Sequence, residues 1–472
     1  MSASSSLPDQ TLLDALRYTT DPLADDTVSR IVGPWQALPD SPHLQATLDA
    51  NTLPWQRIAV VNQLFGKWQD NQSLLDWRAD PATTPPDIAA ELTQFVQSAQ
   101  VLPDWADARK IERAEQIFID HSVLSCTLMF CASLPECYVI PDLSSVLQTT
   151  GQLDKHTDYR IRATAAMIFP VMMPGGLMAA NGSGIAQILK VRLIHATVRN
   201  LLLRGNPAHA LTAHASPQGQ ADQASVPPLL STQANTSMQA TLFALGWDVN
   251  EKGLPCNQEE LAYTLLTFGY VFLRSLRRLG LGLPSADEDA YLHAWNVVGH
   301  VLGLHADLRV NHMADAETLF SQLQARGVAR QVTPDPRPHL TLALMQTMQQ
   351  VLPLRVLKPV PVLLTRFLCG PTTSAQLGLN TQVSWVSKLL FTLGMGLILG
   401  LDRLIRLVSP GFTFSRLLTR LVGQRFMADL LLSQTRQLQL PGTLRRQMQA
   451  VLDERQGKTI GPSNSPVTSG SK

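Results

Sequence analysis

One stretch decides the predicted fold: residues Ser183–Gly205 read SGIAQILKVRLIHATVRNLLLRG. Apolar residues recur in it at spacings of three and four, which predicts a helix that Ser183 begins and Gly205 ends. Stepping from His195 in the same way gives one face, whose members are Ile188, Val191, Arg192, Val198, Arg199 and Leu202. His195 is therefore predicted in the middle of an apolar face, with an arginine one turn to either side.

This face has two interpretations. A haem needs one imidazole on its iron, apolar walls and cations near its propionates, and an R-x-x-H-x-x-x-R helix can provide all three. Alternatively, His195 is a core histidine bonded to a backbone carbonyl, and the arginines extend to solvent. The spacing alone leaves both interpretations open.

The rest of the chain is also predominantly helical in pattern, and no run of alternating strand pattern stands out. The sequence therefore predicts an all-α fold. The other predicted helices are 55–68, 86–100, 105–134, 258–279, 286–306, 314–326 and 337–351.

The predicted domain organisation has four parts. They are an N-terminal helical extension (1–109), a main domain (110–400), C-terminal helices (401–455) and a disordered tail (456–472). Residues 205–236 are rich in Ala, Ser, Gln and Pro and lack periodicity, which predicts a flexible insertion or lid within the main domain.

Composition narrows the class of protein. Of the 472 residues, 45% are hydrophobic and 16% charged, which favours a large core or an apolar cavity. A net charge of +1 without a basic stripe argues against nucleic-acid binding. The N-terminus lacks a secretion signal, so we expect a cytoplasmic protein, and the five cysteines are expected to be free thiols.

One apolar segment, residues 389–401, is 13 residues long and bounded by Lys388 and Asp402. A membrane-spanning helix needs about 20 residues, so the first expectation is a buried core helix. Peripheral membrane contact through residues 389–408, with Arg403 and Arg406, is the alternative.

Four stretches resemble one family. VRLIHATVR (Val191–Arg199) resembles the proximal-histidine segment of the latex-clearing protein (rubber oxygenase) and mycophenolate-pathway oxygenase family. Three more follow in the family's order: GLPCNQEELAYTLLTFGYVFL (Gly253–Leu273), DAYLHAWNVVGHVLGL (Asp289–Leu304) and PVLLTRFLCGPTTSAQLGL (Pro361–Leu379). Four ordered matches are much more specific than one.

The resemblance implies an all-α domain that encloses a buried b-type haem, with dioxygen as co-substrate. It implies that His195 is the metal ligand, and Arg192 and Arg199 would hold the propionates. The expected reaction oxidises or cleaves a carbon–carbon double bond of an apolar substrate, such as an isoprenoid or a lipid.

Two more residues match the family one helix earlier. Arg160 and Thr164 have the spacing of an arginine and a threonine that lie beside the haem. The rubber-cleaving members carry a lysine one residue before that threonine, where this chain has Ala163. This departure puts their distal gating in doubt here and implies an iron face open to oxygen or water.

Glu136 is the candidate general base, because the rubber-cleaving members use a distal glutamate. It is the only carboxylate between Ser122 and Ile140. A buried carboxylate has a raised pKa and suits a base, whereas a residue after Pro135 can equally lie in an exposed loop. Both interpretations stay open.

The sequence is also compatible with other functions. The chain could be a haem-binding sensor or carrier without turnover, or a haem-free helical protein that binds lipid or a membrane surface. His300 is the rival haem ligand. Trp295, Gly299 and Gly303 are spaced by four, which predicts a groove for another helix or a flat ligand.

Overall fold

The computed structural model describes residues 7–36, 43–144, 164–214, 225–230, 237–330, 332–333, 335–352, 357–381 and 383–408. Helices dominate these residues, and the all-α prediction is confirmed. Arg160, Ala163 and the predicted tail at 456–472 lie outside the described residues.

The helices run along the chain as follows. The first group is Gln10–Leu16, Pro22–Val32, Leu44–Ala50, Thr52–Phe65, Gln72–Leu75, Pro86–Ala99, Ala108–Asp120, Ser122–Leu128 and Leu134–Tyr138, with a π-helical turn at Met129–Ser133. After helical residues 164–172, the second group is Gly184–Leu203, Pro207–His214, Met238–Leu245, Val249–Lys252, Gln258–Phe268, Tyr270–Arg278, Ser285–Leu302, Met313–Val328, Arg337–Val351, Val360–Cys369, Pro371–Gln376 and Trp385–Val408. Short 3-10 turns occur at Ala306–Leu308 and Leu379–Thr381, and strands Ser225–Val226 and Trp247–Asp248 pair antiparallel.

We call Gly184–Leu203 the histidine helix, Pro22–Val32 the acidic helix and Trp385–Val408 the C-terminal helix. The histidine helix packs against the acidic helix and against helices Met238–Leu245 and Ser285–Leu302. Its fully buried side chains include Leu189 and Leu193. Each buried leucine contributes about 1.5–3 kcal/mol to folding, which fixes this helix in the core.

The histidine helix ends one residue earlier than predicted. Arg204, not Gly205, takes the left-handed conformation, with φ of 49°. Its guanidinium donates hydrogen bonds to the carbonyls of Phe243 and Pro227, and these bonds offset the strain of a non-glycine residue at positive φ.

The turn that leads into the histidine helix is held from two sides. The Asn71 amide donates to the carbonyls of Gly176 and Ala179 and accepts from the Ile185 N–H. The buried Glu115 carboxylate accepts from the Gly175 N–H at 2.8 Å. A Cβ at Gly176 would lie 2.1 Å from the Pro170 carbonyl oxygen, so only glycine fits there. This turn fixes the histidine helix relative to residues 164–172.

Two predicted helices are interrupted in the structure. The helix predicted at 105–134 bends by 89° near His121, whose Nδ1 lies 2.9 Å from the Ile117 carbonyl oxygen. The helix predicted at 258–279 is interrupted at Gly269, where a Cβ would meet the Trp295 side chain. The predictions at 86–100 and 337–351 agree with the observed helices to within one residue.

The segment predicted as an unstructured insertion contains regular structure in its described parts. Helix Pro207–His214 and strand Ser225–Val226 lie in it, and the Leu44 N–H donates to the Leu230 carbonyl. These parts are bonded to the rest of the fold.

The expectation of a buried core helix at 389–401 is wrong. Leu389, Leu390, Leu393 and Leu397 are all exposed on the C-terminal helix, whereas Phe391 and Met395 pack toward the core. In the described part of the chain, no single helix is long and apolar enough to cross a membrane. Taken together as a bent pair, Ala108–Asp120 and Leu124–Tyr138 pass the same test of length and composition.

Candidate functional site

His195 lies in the middle of the histidine helix, and its ring has no hydrogen-bond partner among the described residues. The pKa of His195 is lowered from its ordinary value to about 4, mainly by burial and also by the Arg199 cation, while Asp21 opposes the shift. The imidazole is therefore neutral at pH 7, with a nitrogen lone pair free to bind a metal. The alternative of a core histidine bonded to a backbone carbonyl finds no support here.

The face around His195 is apolar and only partly covered. Ile194 is 43% exposed, and Val191, His195 and Val198 each keep some accessible surface. Yet burial is the main cause of the lowered pKa of His195. An accessible apolar wall beside a neutral imidazole suits the flat apolar face of a porphyrin, so these residues fit the implied haem.

Lys190 lies on the same face and was missed by the sequence reasoning. Burial lowers its pKa to about 8, and it has no ion-pair partner among the described residues. By helical periodicity it lies at the opposite edge of the face from His195. The sequence could have indicated this position, because Lys190 is four residues before Ile194 and residues at that spacing lie on the same side of a helix.

Arg192 and Arg199 form buried ion pairs with the acidic helix. Arg192 binds Asp21 through two bonds, Nε–Oδ2 at 2.5 Å and Nη2–Oδ1 at 2.8 Å, and donates from Nη1 to the Val301 carbonyl. Arg199 binds Asp25 at 2.6 Å and donates from Nη1 to the Cys256 carbonyl. The two pairs join the acidic helix to the histidine helix.

These pairs compete with the predicted propionate role. Every nitrogen of the Arg192 guanidinium is engaged, so it can hold a propionate only by giving up a buried bond. Arg199 has one buried nitrogen, Nη2, without a partner in the described residues. The propionate role of Arg199 therefore stays a prediction, and Arg192 has a structural role the sequence did not indicate.

Gly303 allows this arrangement. It has φ of 89°, and a Cβ there would lie 2.7 Å from Asp21 Oδ2 and 3.1 Å from Arg192 Nε. Gly303 directly follows helix Ser285–Leu302, and what approaches it is the Asp21–Arg192 ion pair, so the groove for another helix or a flat ligand stays a prediction.

Thr164 opens the helical residues 164–172, directly before the turn that leads to the histidine helix. It is partly buried. Its predicted partner Arg160 lies outside the described residues, so their role beside a haem stays a prediction.

Glu136 is buried, which makes the exposed-loop alternative wrong. Its Oε1 accepts from Arg274 Nη2 at 2.5 Å, and its Oε2 accepts from Gln324 Nε2 at 2.8 Å. Burial raises its pKa, while the Arg274 cation opposes that rise. These bonds link Glu136 to helices Tyr270–Arg278 and Met313–Val328, and none of its described bonds reaches the histidine helix. Its role as a base stays a prediction.

The rival ligand His300 is exposed at the surface, with its ring 5.9 Å from that of Trp105. The nearby His293 accepts a hydrogen bond from the Asp107 N–H, which gives it a structural role. The geometry therefore favours His195 over His300.

A small apolar cleft lies on another face of the histidine helix. Its lining includes Val28, Ile58, Leu92, Leu193 and Thr197, and its volume of about 290 Å³ includes open solvent. Ligand pockets range from about 300 Å³ upward, and His195 does not line this cleft. It is not the candidate haem site.

Comparisons with known proteins agree with the resemblance read from the sequence. Residues 246–399 match the family described as ER-bound oxygenase mpaB/B'/Rubber oxygenase, catalytic domain. This range contains the three stretches at 253–273, 289–304 and 361–379, and it does not include His195. The predicted family resemblance is confirmed, and the assignment of His195 depends on the local motif and its geometry.

A curated relative, the rubber oxygenase of Streptomyces sp. (strain K30), is 25% identical over 268 residues, which is 56% of this chain. The match spans about half of that relative, 52% of its length. A solved structure of latex clearing protein LCP in the closed state superposes with a TM-score of 0.57 and 20% identity, and covers 82% of this chain and 84% of the other. The structural likeness shows a common fold.

Proposed function

We propose that this chain, which resembles the rubber oxygenase and mpaB oxygenase family, is a haem b-dependent oxygenase that acts on a carbon–carbon double bond of an apolar substrate. One observation carries the proposal: a neutral, unpartnered imidazole stands on a partly accessible apolar face inside a helical core. The substrate class is supported by the name of the curated relative and by the apolar character of that face.

Different residues of the chain would have different roles in holding the haem. His195 would hold the iron, and Val191, Ile194 and Val198 would pack against the porphyrin and exclude water. Among the described residues, Lys190 and Arg199, through its Nη2, would be available as cations to the propionates. When bound, the haem would supply the activation of dioxygen.

The acidic helix acts indirectly. Its carboxylates bind Arg192 and Arg199 on either side of His195 and so fix the rotation of the histidine helix. The Arg199 cation also disfavours a protonated imidazole, which keeps His195 in its metal-binding form.

The first test is the absorption spectrum of purified protein supplied with haem. We expect a Soret band that His195→Ala removes and that His300→Ala leaves unchanged. Loss of the band only in His300→Ala would show that His300, and not His195, holds the iron.

The second test is oxygen consumption with apolar alkenes, followed by analysis of the products. Consumption that depends on both the alkene and His195 supports an oxygenase. A haem protein that consumes no oxygen with any alkene would instead be a sensor or carrier.

A further inference from the structure

The C-terminal helix leaves a broad apolar face uncovered. Trp385 is 74% exposed, and five more large apolar side chains are exposed within thirteen residues: Val386, Leu389, Leu390, Leu393 and Leu397. At about 100° per residue these positions share one side of the helix. A continuous exposed apolar face of this kind marks an interaction surface.

Charge points to the nature of the partner. By the same periodicity Lys388 falls at one border of the face, and the sequence of the same helix adds Arg403 and Arg406, with Asp402 as its only acidic residue. Residues 385–450 contain nine Lys or Arg residues and two Asp residues, although the whole chain has a net charge of only +1. The excess of cations is concentrated in this part of the sequence.

We propose that the exposed face of the C-terminal helix is a docking surface for an anionic lipid membrane, with the helix lying along the plane of the headgroups. An apolar face bordered by cations is typical of helices that bind membrane surfaces. Tryptophan prefers the same interface, and Trp385 is at the first position of the helix.

The same charges argue against a second copy of the chain as the occupant. Two copies packed through this face would bring cationic borders together, whereas anionic headgroups neutralise them. The apolar side chains argue against nucleic acid, which offers no surface that would cover exposed leucines.

The test is flotation of the full-length protein with vesicles. We expect binding to vesicles of equal parts phosphatidylcholine and phosphatidylglycerol, weaker binding to phosphatidylcholine alone, and a decrease at high salt. The triple variant Leu390→Gln/Leu393→Gln/Leu397→Gln should lose at least about tenfold in vesicle partition, since lost apolar burial of about 1.4 kcal/mol is already tenfold.

A matched control carries the same change at leucines with similar exposure elsewhere: Leu53→Gln/Leu75→Gln/Leu230→Gln, at 62%, 61% and 59%. We expect it to bind vesicles like the unaltered protein. Circular dichroism checks that both variants fold. If the triple variant does not fold, the single variant Leu393→Gln replaces it in the flotation test.

Three outcomes would overturn the proposal. The first is unaltered protein that binds neither vesicle, and the second is an equal loss in test and control variants. The third is a dimer, measured by light scattering without lipid, that only the test variant converts to a monomer; the face would then join two copies. None of these readouts depends on haem, so they test membrane docking independently of the proposed oxygenase function.

Discussion

The histidine helix and the C-terminal helix both leave apolar side chains accessible, but in opposite surroundings. On the histidine helix the accessible Ile194 and Val191 have neighbours, Lys190 and His195, whose pKa values are lowered by burial. On the C-terminal helix Leu390 and Leu393 are exposed on the outside of the fold. Accessible apolar surface therefore lies beside desolvated polar side chains on one helix and on the outside of the fold on the other. The two helices should respond differently to the same substitutions.

The largest expected difference concerns the buried ion pairs. Arg192→Leu leaves Asp21 buried without its partner and should lower the free energy of unfolding by about 3–5 kcal/mol. Urea unfolding measures it. The double variant Asp21→Asn/Arg192→Leu should recover part of the loss because no uncompensated charge remains. Equal losses in both variants would mean that lost packing, not the unpaired carboxylate, causes the effect.

A matched pair of leucines tests the packing difference directly. Leu193, on the histidine helix, is 0% exposed, and Leu393, on the C-terminal helix, is 61% exposed. Leu193→Ala should cost about 2–5 kcal/mol through loss of burial and a cavity. Leu393→Ala should stay within about 0.5 kcal/mol. Similar costs would show that the C-terminal helix is packed in solution.

A second buried titratable group, Glu260, gives a predicted pH dependence of stability. Burial raises the pKa of Glu260 to about 8, with Asp142 adding to the rise. The folded state therefore favours the neutral carboxyl, so its stabilising effect is present below the ordinary pKa and is lost as the pH rises toward 8. Between pH 5 and 8, Glu260→Gln should remove a slope of up to about 1.4 kcal/mol per pH unit from the free energy of unfolding, which urea titrations at each pH measure. An unchanged slope would place Glu260 in contact with water.

A further predicted effect concerns Lys190. Its pKa is lowered to about 8, so the charged form costs folding energy below pH 8, and this cost declines as the pH rises from 8 toward the ordinary lysine pKa. Lys190→Met should stabilise the haem-free protein by about 1 kcal/mol at pH 7 and weaken haem binding. Thermal unfolding with and without haem measures both effects. Tighter haem binding by Lys190→Met would show that Lys190 does not hold a propionate.

Local patterns predicted much of this structure. Helices at 86–99 and 337–351 follow from their own periodicity, and so does the apolar face that carries His195. The breaks at His121 and Gly269 were not predicted, because the helical periodicity continues through both positions.

The site residues show where local pattern ends. The periodicity placed Arg192 beside His195, but its partner Asp21 is 171 residues away, so a propionate was the predicted anion. The buried Glu136 carboxylate is bonded by Arg274 and Gln324, which no local spacing indicates. Apolar composition predicted burial for 389–401, although composition does not distinguish a core helix from one that faces outward.

The most direct test of the central claim is chemical rescue of the iron ligand. His195→Gly protein supplied with haem should show no Soret band of the unaltered type, and free imidazole should restore it by occupying the space of the missing ring. A Soret band in His195→Gly that matches the unaltered protein without imidazole would contradict ligation of the iron by His195.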